Sequence, residues 1–142
     1  MADIAGRQQA RPIHPIHAFL LAGTVPLFLG ALLGDLAYGS TAEIQWSNFA
    51  AWLIVGAMLF TGLALLWAAV ALLRARPRKG WPLLCFLLLL AAFIVGLIDS
   101  FIHARDAWAV MPAAPILSAI VTAIAALAVF VGFSSLRSGE TR

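Results

Sequence analysis

The stretch 82–102 reads PLLCFLLLLAAFIVGLIDSFI and holds 21 residues, of which only Asp99 is charged. An α-helix needs about 20 predominantly apolar residues to cross the hydrocarbon core of a bilayer. The stretch is continuous and lacks the alternation of apolar and polar residues that a membrane-spanning strand shows. Because a backbone in lipid has to satisfy its own hydrogen bonds, the sequence predicts a membrane-spanning helix here.

Three further apolar runs of similar length lie near residues 18–38, 50–73 and 113–136. Together with 82–102 they leave only tails and short loops, and short loops join antiparallel neighbours in helix bundles. The sequence therefore predicts an all-α fold, a polytopic membrane four-helix bundle with up-down-up-down topology. Residues 1–142 are expected to form a single transmembrane domain.

The composition excludes other classes of protein. Hydrophobic residues make up 63% of the chain and charged residues 11%, against roughly 45–50% and about 25% in soluble domains. The mean hydropathy is +1.01, which excludes a soluble globular domain and a disordered chain. The formal charge of +3 comes from short basic clusters between apolar runs, so we expect contact with the lipid bilayer and not with nucleic acid.

The basic residues predict the orientation of the bundle, because cytoplasmic loops carry an excess of Lys and Arg. Of the nine basic residues only Arg105 lies on one side of the predicted spans. The others share the opposite side: Arg7, Arg11, Arg74, Arg76, Arg78, Lys79, Arg137 and Arg142. Both termini are therefore expected to be cytoplasmic.

Ionisable residues inside a span are expensive in lipid and are functional candidates by default. The sequence predicts a polar cluster at the outer end of the bundle, made of Asp35, Asp99, His103, Arg105 and Asp106. Asp99 and His103 are four residues apart and share a helix face. Two interpretations stay open: pairing that holds helices 1 and 3 together, or a site that handles protons, a metal or a cofactor edge. No residue is assigned as a metal ligand.

The histidines are the candidate cofactor-binding residues. His14 and His17 flank Pro15 at the start of helix 1, whereas His103 ends helix 3. A full span of about 31 Å separates the two groups, so no single iron within one subunit can bind both. A haem would need a second subunit, another ligand beside the histidine pair, or Met111 beside His103. Haem b and quinone are the candidate cofactors, and the sequence does not choose between them.

Other motifs are few. Gly30 and Gly34 form a GxxxG pattern, which allows close backbone approach within the bundle or in a dimer. Ser118 and Thr122 are four residues apart and can hydrogen-bond across a helix interface. The sequence contains no Walker loop and no CxxC, HExxH or GxSxG motif, so an enzyme is not expected.

The segment His14-Pro15-Ile16-His17, the Pro-interrupted helix ending near Asp35, and Gly96-Leu97-Ile98-Asp99 resemble a bacterial membrane family, domain of unknown function 2231. The resemblance covers roughly residues 12–135. Many members have a proline where this chain has Ala18, and another histidine in the last helix, which this chain lacks. The resemblance implies a multi-pass protein of the bacterial inner membrane with no settled activity. Related domains are sometimes joined to, or encoded near, membrane-associated dehydrogenases, which suggests a redox role.

These observations predict a non-catalytic anchor or accessory subunit of a membrane complex. The alternative is an electron-transfer subunit that binds haem b or quinone and partners a membrane-associated dehydrogenase. A small oligomeric channel, with Asp35 and Asp99 lining a path, is a further alternative. The expected partners are the bilayer, a second copy of the chain, and a periplasmic dehydrogenase.

Overall fold

A computed structural model describes residues 13–74 and 80–137. These residues form four long helices, α1 (Pro15–Thr41), α2 (Ile44–Arg74), α3 (Trp81–His103) and α4 (Ala113–Arg137), and one short 3₁₀ helix, Ala107–Ala109. Each long helix has the length and hydropathy to cross a membrane, and the described ranges contain no strand. The predicted all-α fold with four spans is confirmed.

Consecutive helices run antiparallel. One buried cluster contains a residue from each helix. Leu20 and Cys85 lie near the beginnings of α1 and α3, whereas Ala64 and Val131 lie toward the ends of α2 and α4. The helices pack in the cyclic order α1, α2, α3, α4, so that α1 and α3 lie on one diagonal. We call the end of the bundle that holds Pro15, Arg74 and Trp81 the terminal end, and the end that holds Thr41 and His103 the loop end.

The orientation of these ends in a membrane stays a prediction. Six of the eight basic residues on which it rests lie outside the described residues: Arg7, Arg11, Arg76, Arg78, Lys79 and Arg142.

Small residues allow the helices to pack closely. The buried stripe of α2 recurs every three or four residues and is rich in alanine: Ser47, Ala50, Ile54, Ala57, Thr61, Ala64 and Ala68. Large side chains such as Trp52 and Leu73 point outward, where they are 75% and 86% exposed and meet lipid in a bilayer. Such a distribution is typical of membrane bundles, where close van der Waals packing holds the helices together.

The GxxxG pattern faces α2. A methyl group on Gly34 would come within 3.2 Å of the Trp46 carbonyl oxygen and 3.1 Å of Ala50 Cβ, and one on Gly30 would meet Leu53. The close approach that the sequence predicted either within the bundle or in a dimer therefore lies within the chain.

The helices extend beyond the bounds that hydropathy predicted, and Ala42 and Glu43 alone connect α1 to α2. The Thr41 and Ser40 hydroxyls donate hydrogen bonds to the Ala37 carbonyl, at 2.7 and 3.0 Å. Such bonds satisfy polar side chains within the helix, so α1 does not end where the apolar run ends. Ala42, in the left-handed region at φ 56°, closes the helix.

Candidate functional site

Four polar side chains meet inside the loop end of the bundle. Asp35 comes from α1, Asp99 and His103 from the last turns of α3, and Ser118 from the second turn of α4. Asp99 and Ser118 are fully buried and Asp35 is 2% exposed. We call these four residues the polar network. It ties together three helices, including the diagonal pair α1 and α3.

His103 lies at the centre of the polar network, with its side chain 2% exposed. Its Nε2 atom is 2.8 Å from Asp35 Oδ1. Its Nδ1 atom is 3.0 Å from the Asp99 carbonyl oxygen and 3.2 Å from Asp99 Oδ1. The second distance fits an ion pair, but the hydrogen bond goes to the carbonyl and leaves Oδ1 without a hydrogen-bond partner. Both ring nitrogens therefore face oxygen atoms of the protein.

Ser118 bridges the two carboxyl groups. Its Oγ atom is 2.6 Å from Asp35 Oδ2 and 3.1 Å from Asp99 Oδ2. A hydroxyl carries one proton and donates to one acceptor at a time. If Ser118 donates to Asp35 at the shorter distance, the contact with Asp99 is a hydrogen bond only where Asp99 carries a proton and donates it to Ser118.

Two arrangements of the protons pair all these contacts, and in both a doubly protonated His103 donates to Asp35 and to the Asp99 carbonyl. In the one that follows the shorter distance, Ser118 donates to ionised Asp35 and a protonated Asp99 donates to Ser118. In the other, Asp35 holds the proton and donates it to Ser118, which donates to ionised Asp99. The charges of the polar network then sum to zero, and a buried group of net charge zero avoids the large cost of an uncompensated ion. Chemically, the network can hold one proton between two carboxyl groups.

The structure brings together three of the five residues that the sequence assigned to the outer cluster. Arg105 and Asp106 follow α3 and are exposed. Across the described residues, neither side chain makes a hydrogen bond or ion pair with the polar network. The partner of Asp35 is His103 and not Arg105, because His103 is on the last turn of α3 and faces the bundle.

The other two histidines lie at the terminal end. The His14 ring centroid is 4.8 Å from that of Trp67 on α2, and His17 stacks on the same ring at 6.0 Å with an interplanar angle of 15°. His14 also caps α1, since its Nδ1 atom accepts a hydrogen bond from the Ile16 amide at 3.3 Å. The Nδ1 atom of His17 is enclosed and has no hydrogen-bond partner within residues 13–74 and 80–137. A cavity of about 130 Å³ beside His17 also contacts Cys85 and Trp81.

A family model described as a predicted membrane protein, DUF2231, matches residues 13–138. The chain belongs to the DUF2231 family. The matched range includes all four helices, the polar network and both histidines of the terminal end, and the predicted resemblance is confirmed. No curated protein and no solved structure matches the chain.

The described residues of this DUF2231 protein do not fit a haem bound to His103 within one chain. Both nitrogens of that ring already face protein oxygens, so neither is free for iron. The Met111 methyl group lies against Gly39. Between the two ends, Phe28 and buried alanines fill the bundle. In the ranges that the structure describes, no three His, Cys, Asp or Glu side chains are placed to hold a metal ion.

Sequence reasoning did not assign two residues of these sites. The sequence predicts Ser118 only as a helix contact, although its depth in an antiparallel α4 matches that of Asp99, and this agreement in depth is a usable signal. Thr122 donates its hydroxyl proton to the Ser118 carbonyl at 2.6 Å and is not part of the polar network. Trp67 lies at the same depth as His14 and His17 in an antiparallel bundle, but the sequence does not show that its face of α2 meets them.

Proposed function

We propose that this DUF2231 protein is a non-catalytic membrane subunit, an anchor or accessory subunit of a membrane complex in the bacterial inner membrane. The observation that carries the proposal is the polar network, whose ionisable groups bind one another inside the bundle. A ligand or substrate site needs groups that are free to bind. Here the strongest candidate groups of the chain are engaged in holding helices together.

The polar network holds three helices together at the loop end of the bundle. His103 joins α3 to α1 through Asp35, and Ser118 joins α4 to both. The remaining helix, α2, is held without polar groups, through the close contact of its Ala50 with Gly34 of α1. A rigid bundle with an apolar exterior suits a protein that positions a partner at the membrane.

The partner we propose is a periplasmic dehydrogenase or a second copy of the chain. In the orientation that the basic residues predict, the loop between α3 and α4 faces the periplasm. This loop presents Arg105, Asp106 and Trp108, and Trp108 is 83% exposed. These side chains are free of the polar network and are available for contact outside the bilayer.

The experiment is an absorption spectrum and a metal analysis of the protein purified in mild detergent. We expect no Soret band and no stoichiometric metal. The matched variants are His17→Ala at the terminal end and His103→Ala at the loop end. A Soret band that disappears in either variant would replace the proposal with an electron-transfer subunit.

The alternative is an electron-transfer subunit that binds haem b or quinone at the terminal end. It is favoured by one observation, the enclosed His17 Nδ1 atom beside Trp67, to which no described residue donates or accepts a hydrogen bond. Extraction of a stoichiometric quinone from the wild-type protein, and its loss in His17→Ala, would support this alternative. Recovery of equal, substoichiometric quinone from both proteins would count against it.

A further inference from the structure

A groove of about 690 Å³ lies on the outside of the bundle at the terminal end, between α1 and α2. We call it the α1–α2 groove. Its walls include Leu20 of α1 and Leu63, Leu66, Trp67 and Val70 of α2. Arg74, the last residue of α2, also lines the groove, and we call the end of the groove at Arg74 its mouth. This volume is in the range of about 300–1,000 Å³ that small-molecule sites occupy. Apart from Arg74, the named walls are hydrocarbon or aromatic.

The length of the groove matches one leaflet of a bilayer. Leu63 and Arg74 are 11 residues apart on a continuous helix, and at 1.5 Å per residue this distance is about 16 Å. Half of a hydrocarbon core of about 30 Å is about 15 Å. With Arg74 at the level of the headgroups, Leu63 lies near the middle of the bilayer, so that the groove spans the depth of one acyl chain.

Among the residues that the structure describes, Arg74 has no carboxylate partner. The acidic residues within the described ranges, Asp35, Glu43, Asp99 and Asp106, all lie at or next to the loop end, and none pairs with Arg74. A guanidinium group at the mouth of an apolar groove is complementary to a molecule with an anionic head and a long apolar tail. Basic pockets on membrane helices bind anionic lipid headgroups for the same reason.

The polar chemistry of the groove favours a phospholipid over a quinone. A quinone headgroup presents two carbonyl oxygens and is recognised by hydrogen-bond donors along the walls. Here the charged donor, Arg74, stands at the mouth at headgroup depth, and the Trp67 indole N–H is the other side-chain donor of the lining. Leu20, Leu63 and Leu66 lie deeper and offer no donor. A phosphate at the surface and an acyl chain below it fit this order.

We propose that the α1–α2 groove binds one anionic phospholipid, with an acyl chain along Trp67 and the phosphate on Arg74. Arginine suits this role because its planar fork of donors matches the oxygens of a phosphate. The bound lipid would fill the surface concavity beside the first turns of α1 and complete the packing of α1 against α2. The inference is independent of the function proposed above.

The test is a titration of the delipidated full chain in detergent, followed by native mass spectrometry. The added lipids are phosphatidylglycerol and phosphatidylcholine with identical acyl chains. We expect the first phosphatidylglycerol to bind about fivefold more tightly than phosphatidylcholine, the ratio that corresponds to about 1 kcal/mol per basic residue at a membrane surface. Arg74→Gln should remove this preference, and the control Arg105→Gln at the loop end should keep it.

A second variant tests the groove itself. Val70→Trp adds bulk to a wall residue that is 36% exposed, so it should narrow the groove without disturbing the core. It should weaken binding of both lipids, with unchanged helicity and thermal unfolding. Equal binding of the two lipids to the wild type would overturn the proposal, as would unchanged binding by Val70→Trp. Displacement of phosphatidylglycerol by one equivalent of a long-chain quinone, regardless of Arg74, would assign the groove to quinone.

Discussion

The two ends of the bundle use histidine in opposite ways. At the loop end, His103 is buried and both of its ring nitrogens face oxygens of Asp99 and Asp35. At the terminal end, His14 and His17 pack against Trp67, and the His17 Nδ1 atom has no hydrogen-bond partner in the described part of the chain. The loop end contains carboxylates within reach and the terminal end contains none among the described residues. An imidazole in a membrane helix therefore becomes a structural group where a carboxylate faces it across the bundle.

The difference also bears on function. A polar group that is already paired contributes to stability, whereas an unpaired one can be used by a ligand. By this criterion the loop end holds the bundle together, and the terminal end, with His17 and the α1–α2 groove, is the place to look for bound molecules. Substitutions matched between the two ends test this division.

The largest effect is expected for Asp35→Ala. It removes the carboxylate that faces His103 and Ser118 and leaves a buried imidazole uncompensated. Breaking a buried pair by removing one partner costs about 3–5 kcal/mol, so the free energy of unfolding should fall by that amount. Thermal unfolding in detergent measures it, with His17→Ala as the control at the other end. Equal losses in the two variants would contradict the division between the ends.

The amide substitutions Asp99→Asn and Asp35→Asn are expected to lower the free energy of unfolding by smaller and unequal amounts. Asp99→Asn should cost less than about 1 kcal/mol, because an amide N–H can donate to Ser118 as a protonated acid does. Asp35→Asn removes the charge that faces His103 and should cost about 2 kcal/mol more than Asp99→Asn, since hydrogen bonds to charged groups are the stronger ones. Unfolding of the two variants under identical conditions measures the difference. The reverse order would show that the proton resides on Asp35.

Ser118→Ala is expected to cost about 1 kcal/mol, close to the measured range for hydrogen bonds between membrane helices. The matched control is Thr122→Val, which removes a hydroxyl that bonds only to the Ser118 carbonyl of its own helix. It should leave the free energy of unfolding nearly unchanged. Chemical unfolding of both variants in the same detergent measures the two losses. If Thr122→Val lowers the free energy of unfolding as much as Ser118→Ala does, Ser118 does not stabilise the bundle by bridging the two carboxyl groups.

The smallest effect is expected for His17→Phe at the terminal end. Phenylalanine keeps a ring against Trp67 and removes the nitrogen that has no partner, so the stability should change by no more than about 0.5 kcal/mol. Thermal unfolding of the variant beside the wild type checks this. A loss above about 2 kcal/mol would show that His17 makes a bond that matters for the fold, and the contrast between the ends would then fail.

The number of helices able to span a membrane, their approximate positions and the end of the bundle at which each histidine lies could be predicted from the sequence alone. Hydropathy and length are local properties, so Asp35, Asp99 and His103 could be placed at one end, and His14 and His17 at the other, before any packing was known. The ends of the helices were harder to predict. The hydroxyls of Ser40 and Thr41 form hydrogen bonds within α1, and the helix continues beyond the apolar run.

The faces by which the helices meet could not be predicted from the sequence and are known from the packing of the bundle. In a bilayer the outside of a helix is as apolar as its inside, so the hydrophobic pattern does not reveal the buried face. The rotation of each helix depends instead on small residues, such as Gly34 against Ala50. That packing turns Ser118 inward between two carboxylates and places Trp67 against the histidines. No local pattern in the chain encodes either contact, because each depends on helices that are distant in sequence.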